Sequence, residues 1–163
     1  MIGVVGVRIY DLYLIEDDVA RHYFGRERML YNLFLDYSQS SGELREILQK
    51  QIQFITKPFN LLRLQRVLDQ HIRNHKEFSG GKRVYSIEKN DGQSSAILAA
   101  NDHEIKIESR GTLEAETEFF ECLRKMESSF LALDLSNRRY GWLKPIKERK
   151  FRLKEGNYYS DIV

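Results

Sequence analysis

The segment 7–15 (VRIYDLYLI) is the first part of the chain whose hydrophobic pattern predicts an element. Its odd-numbered and even-numbered positions are both largely apolar, so an extended segment here would have two apolar faces. This pattern is typical of a strand that is covered on both sides or lies centrally in a sheet. We therefore predict a central strand over residues 7–15.

Helical spacing of apolar residues dominates the first half of the chain after this strand. Three consecutive carboxylates at residues 16–18 favour a helix N-terminus, where unpaired amides carry partial positive charge. We predict a long first helix from there to about residue 37, with Gly25 in its interior. A second helix is predicted over residues 44–56, ended by Pro58, and a third over residues 61–75.

The second half of the chain is predicted to form strands and one helix. Short alternating segments separated by turn signals predict an antiparallel meander. The predicted strands are residues 83–88, 95–100, 104–109, 130–135 and 140–143, and the predicted helix is residues 113–126. The resulting order, β-α-α-α-β-β-β-α-β-β, predicts an α+β fold with helices packed on a largely antiparallel β-sheet.

Length and composition restrict the function classes. The 163 residues suit one domain, and we expect a single domain over 1–163 with extensions at 1–6 and 156–163. The 26 Lys and Arg residues nearly balance the 24 Asp and Glu residues, so the whole chain lacks the positive charge of a nonspecific nucleic-acid binder. One cysteine permits no internal disulfide, and no segment reaches the roughly 18 apolar residues of a membrane helix. We expect a cytoplasmic protein without membrane contact.

Residues that could carry catalysis or bind a metal are few and poorly arranged. His71 and His75 share a face of the predicted third helix, but the Glu of a zinc-protease motif is missing beside them. Cys122 has no basic neighbour one helical turn before it to activate its thiol, so we interpret it as a packed structural residue. Glu116 projects nearer to the apolar side of its helix than its neighbours, and one buried arginine would account for it. We predict no enzyme activity and no cofactor.

The C-terminal part of the chain carries a local excess of positive charge. Eight lysines and arginines stand between residues 138 and 154, with Tyr140, Trp142 and Phe151 among them. Basic side chains interleaved with aromatic rings are typical of proteins that bind single-stranded nucleic acid. A solvated C-terminal extension is the simpler interpretation, and nucleic-acid binding through residues 138–154 is the alternative function.

Four separated blocks of the sequence resemble one family. The first two blocks are HYFGRE at residues 22–27 and QIQFIT at residues 51–56. The third is EAET followed by FFE within residues 114–121, and the fourth is RYGWL with a proline and KER within residues 139–149. Over about residues 13–151 the chain resembles the SirA family, the sporulation inhibitors of replication of Bacillus-type bacteria.

The resemblance implies a small non-enzymatic protein, made at the onset of sporulation, that restrains chromosome replication at the origin. It implies binding to the N-terminal domain I of the replication initiator DnaA, and contact with DNA only indirectly, through DnaA. The positions that it places at the DnaA-contacting surface are Val19, Ala20, Tyr23, Gln51 and Phe54.

Helical spacing extends this surface to two stripes of residues at i, i+4 and i+7. The stripes are Val19, Tyr23 and Arg26 on the first helix and Ile47, Gln51 and Phe54 on the second. Two packed helices would join the stripes into one exposed patch, and its Tyr and Phe side chains suit a binding hot spot. Core packing is the alternative interpretation of Tyr23 and Phe54.

Overall fold

The computed structural model describes residues 6–71, 75–77 and 83–144 of the chain. Its elements in chain order are β1 (Arg8–Leu14), α1 (Asp17–His22), α2 (Glu27–Gln39), α3 (Gly42–Ile55), α4 (Leu61–His71), β2 (His75–Glu77), β3 (Arg83–Lys89), β4 (Ser94–Ala100), β5 (Ile105–Gly111), α5 (Glu114–Met126), β6 (Phe130–Asp134) and β7 (Arg139–Trp142). They form an α+β fold of helices on an antiparallel sheet. The predicted fold class and order of elements are confirmed, and two details differ: the first helix is broken, and a short strand, β2, is added.

The described strands form one antiparallel sheet in the order β2-β3-β4-β5-β1-β6-β7. β1 lies between β5 and β6, because Asp11 pairs with Lys106 on one side and with Leu133 on the other. The predicted central position of this strand is confirmed. Its apolar residues on both faces are explained by helices that cover both sides of the sheet.

Two hydrophobic cores lie on the two faces of the sheet. The first core joins α4 and α5 to the face that carries Leu12, Leu98 and Ile107. The second core joins α1, α2 and α3 to the opposite face, which carries Leu131 and Trp142. The three N-terminal helices are therefore gathered on one side of the sheet, at its β6–β7 end.

The helix predicted to run to residue 37 is divided into α1 and α2 by a turn at residues 23–26. Tyr23 closes α1, since its N–H donates to the carbonyl oxygen of Val19 at 2.9 Å. Gly25 has a φ of 79°, a left-handed conformation that glycine adopts without steric cost. The glycine predicted inside one helix is thus the residue that permits a turn between two.

The predicted extent of the third helix and its histidine pair are wrong. The described part of α4 ends at His71, and His75 lies in β2. The two histidines therefore do not share a helix face. Of the predicted extensions, residues 1–5 and 156–163 lie outside the described residues. Within the described ranges, no helix has the length and apolar composition that crossing a bilayer requires.

Candidate functional site

An open apolar groove of about 590 Å³ lies where α1, α2 and α3 meet. Most of the side chains along it are aliphatic or aromatic, with one lysine and one glutamine among them. The groove is lined by Val19, Tyr23, Met29, Leu30, Leu33, Lys50, Gln51, Phe54 and Ile55. We call this feature the three-helix groove.

Backbone hydrogen bonds hold the end of α3 beside the start of α1. The N–H of Glu16 donates to the carbonyl of Ile55 at 2.8 Å, and the N–H of Lys57 donates to the carbonyl of Leu14 at 2.9 Å. An antiparallel bridge between Ile15 and Thr56 lies between these two bonds. The end of α3 is thereby fixed to the segment that connects β1 with α1. These bonds hold α3 beside α1, and the two helices form two of the three walls of the groove.

α3 leaves three of its six apolar side chains exposed to solvent. Phe54 is 82% exposed and Ile47 is 48% exposed, whereas Ile52 is the buried residue of this helix. Gln51 is also exposed. An aromatic ring this accessible contributes little to the packing of its own chain. Core packing, the alternative interpretation of Phe54, is therefore wrong.

The predicted contact residues divide into three groups. Those that line the groove together are Val19, Tyr23, Gln51 and Phe54. Ala20 is only 1% exposed, so its side chain packs behind α1 in the second core instead of facing outwards. Arg26 and Ile47 are exposed but do not line the groove.

The stripe predicted on one continuous first helix is wrong in its geometry. α1 ends at His22, so Tyr23 caps this helix and Arg26 lies in the turn that precedes α2. The Nη2 of Arg26 donates to the carbonyl of His22 at 3.2 Å, which satisfies an acceptor at the end of α1. Val19 and Tyr23 remain neighbours through the last helical hydrogen bond of α1, as their spacing predicts, whereas the turn takes Arg26 out of the stripe.

α2 supplies a third wall that is absent from the predicted contact residues. Met29, Leu30 and Leu33 line the groove from this side, and Met29 is 55% exposed. The available signal is the i, i+4 spacing of Met29 and Leu33, which places both on one side of α2. In a single long helix the same spacing is equally typical of core residues. Spacing alone therefore does not assign Met29 and Leu33 to a groove, and the position of α2 after the break at Gly25 does.

A smaller cavity of about 260 Å³ lies between α5 and the strands β1, β6 and β7. Glu116 lines it and forms a buried ion pair, with its Oε1 2.5 Å from Nη2 of Arg8. The buried arginine partner predicted for Glu116 is confirmed. On the strand side, Nη2 of Arg139 lies 2.8 Å from Oδ2 of Asp134 and 3.3 Å from the hydroxyl of Tyr10. Burial raises the pKa of Tyr10 from its ordinary value of 10 to about 12.

The remaining residues considered for catalysis or metal binding are Cys122 and the possible metal ligands. Cys122 is buried in α5, and burial raises the pKa of its thiol, which makes it less reactive. This agrees with its interpretation as a packed structural residue. Across residues 6–71, 75–77 and 83–144, no three His, Cys, Asp or Glu side chains are grouped so that they could hold a metal ion.

The basic segment predicted as an alternative nucleic-acid site is described only at its start. Residues 145–154 lie outside the described residues. Arg139 is held in the ion pair with Asp134, and Arg138 is exposed in the turn between β6 and β7. The side chain of Arg139 also stays 42% exposed, so both arginines are accessible from solvent.

Comparison with known proteins assigns the family. The sequence model of the family described as "Sporulation inhibitor of replication protein SirA" matches residues 8–147, a range that includes the whole three-helix groove. The sporulation inhibitor of replication protein SirA of Bacillus subtilis (strain 168) is 41% identical over 146 residues, which cover 88% of this chain and 98% of the relative. The chain therefore belongs to the SirA family of sporulation inhibitors of replication.

Proposed function

We propose that this protein inhibits DNA replication during sporulation by binding domain I of the initiator DnaA through the three-helix groove. The observation that carries the proposal is the 82% exposure of Phe54 in an apolar groove of a SirA-family chain. The Bacillus subtilis relative is named as a sporulation inhibitor of replication. The resemblance described above implies DnaA domain I as the partner.

The chemistry of the groove suits a protein partner. Tyr23 and Phe54 offer two aromatic rings near each other, and large aromatic side chains are enriched among the residues that dominate binding energy. Gln51 adds a hydrogen-bonding group, and Lys50 adds a charge at the edge. An apolar centre with a polar rim is the common anatomy of a protein interface. Three helices can supply their share of an interface of about 1,200–2,000 Å² in total.

The proposed mechanism requires binding and no catalysis. By covering a surface of DnaA domain I, the bound protein would block another contact of that domain or disturb the assembly of DnaA at the origin. Either route makes the inhibitor stoichiometric with the DnaA that it occupies. The protein would act in the cytoplasm, where DnaA meets the chromosome.

Calorimetric titration against isolated DnaA domain I tests the proposal. We expect saturable binding with little dependence on salt, measured at two salt concentrations. Tyr23→Ala should weaken binding at least about tenfold while it shifts the melting temperature by only a few degrees, and Gln51→Ala should also weaken it. Leu62→Ala is the matched control, because Leu62 is 60% exposed on α4, on the other side of the sheet.

Three outcomes would contradict the proposal. If Tyr23→Ala unfolds the protein, Tyr23 is a core residue and the contact surface is misplaced. If Leu62→Ala weakens binding as much as Tyr23→Ala, the groove is not the site. If a folded sample gives no heat with domain I but binds DNA with a steep dependence on salt, the alternative function through residues 138–154 is favoured.

A further inference from the structure

Glu27 is a buried carboxylate at the first residue of α2. It is only 5% exposed, and its Oε1 accepts hydrogen bonds from the N–H of Gly25 at 2.9 Å and from Nε1–H of Trp142 at 3.2 Å. Among the described residues, no lysine or arginine forms an ion pair with it. A buried charge without a cationic partner is costly unless other groups stabilise it.

Two features stabilise the Glu27 carboxylate where it lies. The two N–H groups point at one of its oxygens, and the N-terminal turn of α2 contributes the partial positive charge of unpaired amides. Through these bonds Glu27 joins the turn between α1 and α2 to β7. A further contact, between α2 and β7, is the stacking of Tyr31 on Tyr140, with ring centroids 5.0 Å apart.

The turn that Glu27 holds begins at Tyr23, which lines the three-helix groove. The carbonyl of Tyr23 accepts from the N–H of Arg26 at 2.7 Å, and Gly25 lies between them with a φ of 79°. Glycine has more accessible backbone conformations than other residues, so a turn built on it needs an outside contact to keep one geometry. Glu27 supplies that contact at the N–H of Gly25.

We propose that Glu27 is a positioning residue for the three-helix groove: its carboxylate holds the turn at residues 23–26 against Trp142, so that Tyr23 is in place before a partner binds. This inference rests on the proposed function for its effect on binding, but not for its effect on the turn. A preorganised anchor residue raises affinity because less ordering is needed on association. The proposal also links the groove to Trp142 on the opposite side of α2.

The first experiment measures the turn without any partner. Amide hydrogen exchange of residues 23–29 is compared in the wild type, Glu27→Ala, Glu27→Gln and Glu43→Ala. We expect exchange at Gly25 to accelerate at least about tenfold in Glu27→Ala and by no more than about threefold in Glu27→Gln, which keeps an acceptor oxygen. Glu43→Ala is the matched control, since Glu43 is an exposed acid in the first turn of α3.

Trp142 provides an independent readout, because it is the single tryptophan of the chain. In Glu27→Ala we expect its fluorescence emission to move to longer wavelength as water replaces the carboxylate at Nε1. Glu27→Gln should move it less. If Glu27→Ala loses exchange protection throughout β1 and β5, this variant has unfolded. Trp142→Phe then tests whether the bond between Glu27 and Trp142 holds the turn. That change removes the pyrrole part of the indole together with its Nε1–H and retains one aromatic ring. It should accelerate exchange at Gly25 while β1 and β5 keep their protection.

The second experiment repeats the titration with DnaA domain I. Glu27→Ala should weaken binding at least about tenfold, and Glu27→Gln should restore it to within about threefold of the wild type. If the wild type does not bind, the proposed function fails, while the exchange data still decide the role of Glu27 in the turn. The positioning role is overturned if Gly25 exchanges at the wild-type rate in Glu27→Ala, or if this variant loosens the turn and yet binds as tightly as the wild type.

Discussion

Helices α3 and α5 are both amphipathic and nearly equal in length, but they bury very different amounts of their apolar surface. In α5, six of 13 residues are buried, among them Phe119 and Leu123 at 0% exposure. In α3, Ile52 is the buried residue of 14, and Phe54 stays 82% exposed. The apolar residues of α5 contribute to folding, whereas three of the six in α3 remain available for another molecule.

The difference arises from what each helix packs against. α5 lies on β3, β4 and β5 and also contacts α4, so its apolar side is covered along its length. α3 contacts α2, and the two residues that follow α3, Thr56 and Lys57, are bonded to Ile15 and Leu14 at the end of β1. An amphipathic pattern therefore shows which side of a helix avoids water but not which molecule covers that side.

The sharpest test of this comparison is the same substitution in both helices. Phe119→Ala should lower the free energy of unfolding by about 3–5 kcal/mol, because it removes a fully buried ring and leaves a cavity. Phe54→Ala should change it by no more than about 0.5 kcal/mol, as for other exposed positions. Urea unfolding followed by circular dichroism measures both. Equal losses in the two variants would mean that α3 is as much a core helix as α5.

Within α5, the same contrast between buried and exposed positions holds for two glutamates, Glu116 and Glu118. Glu116→Ala should destabilise the protein by about 3 kcal/mol, at the lower end for a broken buried ion pair, because Arg8 keeps its bond to the carbonyl of Thr112. Glu118→Ala is the matched control: Glu118 pairs with Lys89 at the surface and should contribute less than about 1 kcal/mol.

A double variant distinguishes the charge from the packing of this ion pair. Replacing both partners together, Arg8→Met with Glu116→Leu, should recover part of the stability that Glu116→Ala loses, because no unpaired charge is then buried. Urea unfolding of Glu116→Ala, Glu118→Ala and the double variant measures the three free energies of unfolding. A double variant no more stable than Glu116→Ala would show that the loss comes from packing.

The smallest expected effect concerns a carboxylate on the other face of the sheet. Burial and the neighbouring Asp11 raise the pKa of Glu104 above its ordinary value of 4.5, while Lys106 and the hydroxyl of Tyr13 act in the opposite direction. With a raised pKa the folded state holds the proton longer than the unfolded state does, so stability falls as the pH rises above 4.5.

Glu104→Gln removes this titration and should stabilise the protein more at pH 7.5 than at pH 5. The melting temperatures of the wild type and the variant at the two pH values measure the difference. Glu108→Gln serves as the control, because Glu108 is an exposed acid in β5. If the melting temperature of the wild type instead rises relative to that of Glu104→Gln between pH 5 and pH 7.5, the pKa of Glu104 is lowered in the folded state.

The α+β class, the central strand, the meander and α5 could be predicted because each depends on local periodicity and turn residues. The turn at residues 23–26 could not. Gly25 inside a helical pattern is compatible with a continuous helix at a modest cost. The contacts that favour the break include a non-local one, from Glu27 to Trp142. β2 was not predicted because three residues are too few for a pattern.

The candidate site could be predicted in part for a similar reason. The stripe on α3 follows from helical spacing, so Gln51 and Phe54 are on the surface as expected. Ala20 is buried because its side of α1 faces the second core. Met29 lines the groove from α2, which the turn at Gly25 separates from α1.

The sequence by itself determined the period of each element, the buried role of Glu116 and the family resemblance, since these depend on neighbouring residues and on motifs within single segments. The tertiary structure decided which apolar side chains are covered. Phe119 and Phe54 are the same residue type on similar helices, but one lies over the sheet and the other borders an open groove. Burial depends on distant segments meeting, and hydrophobicity specifies only that a residue favours burial, not the partner that provides it.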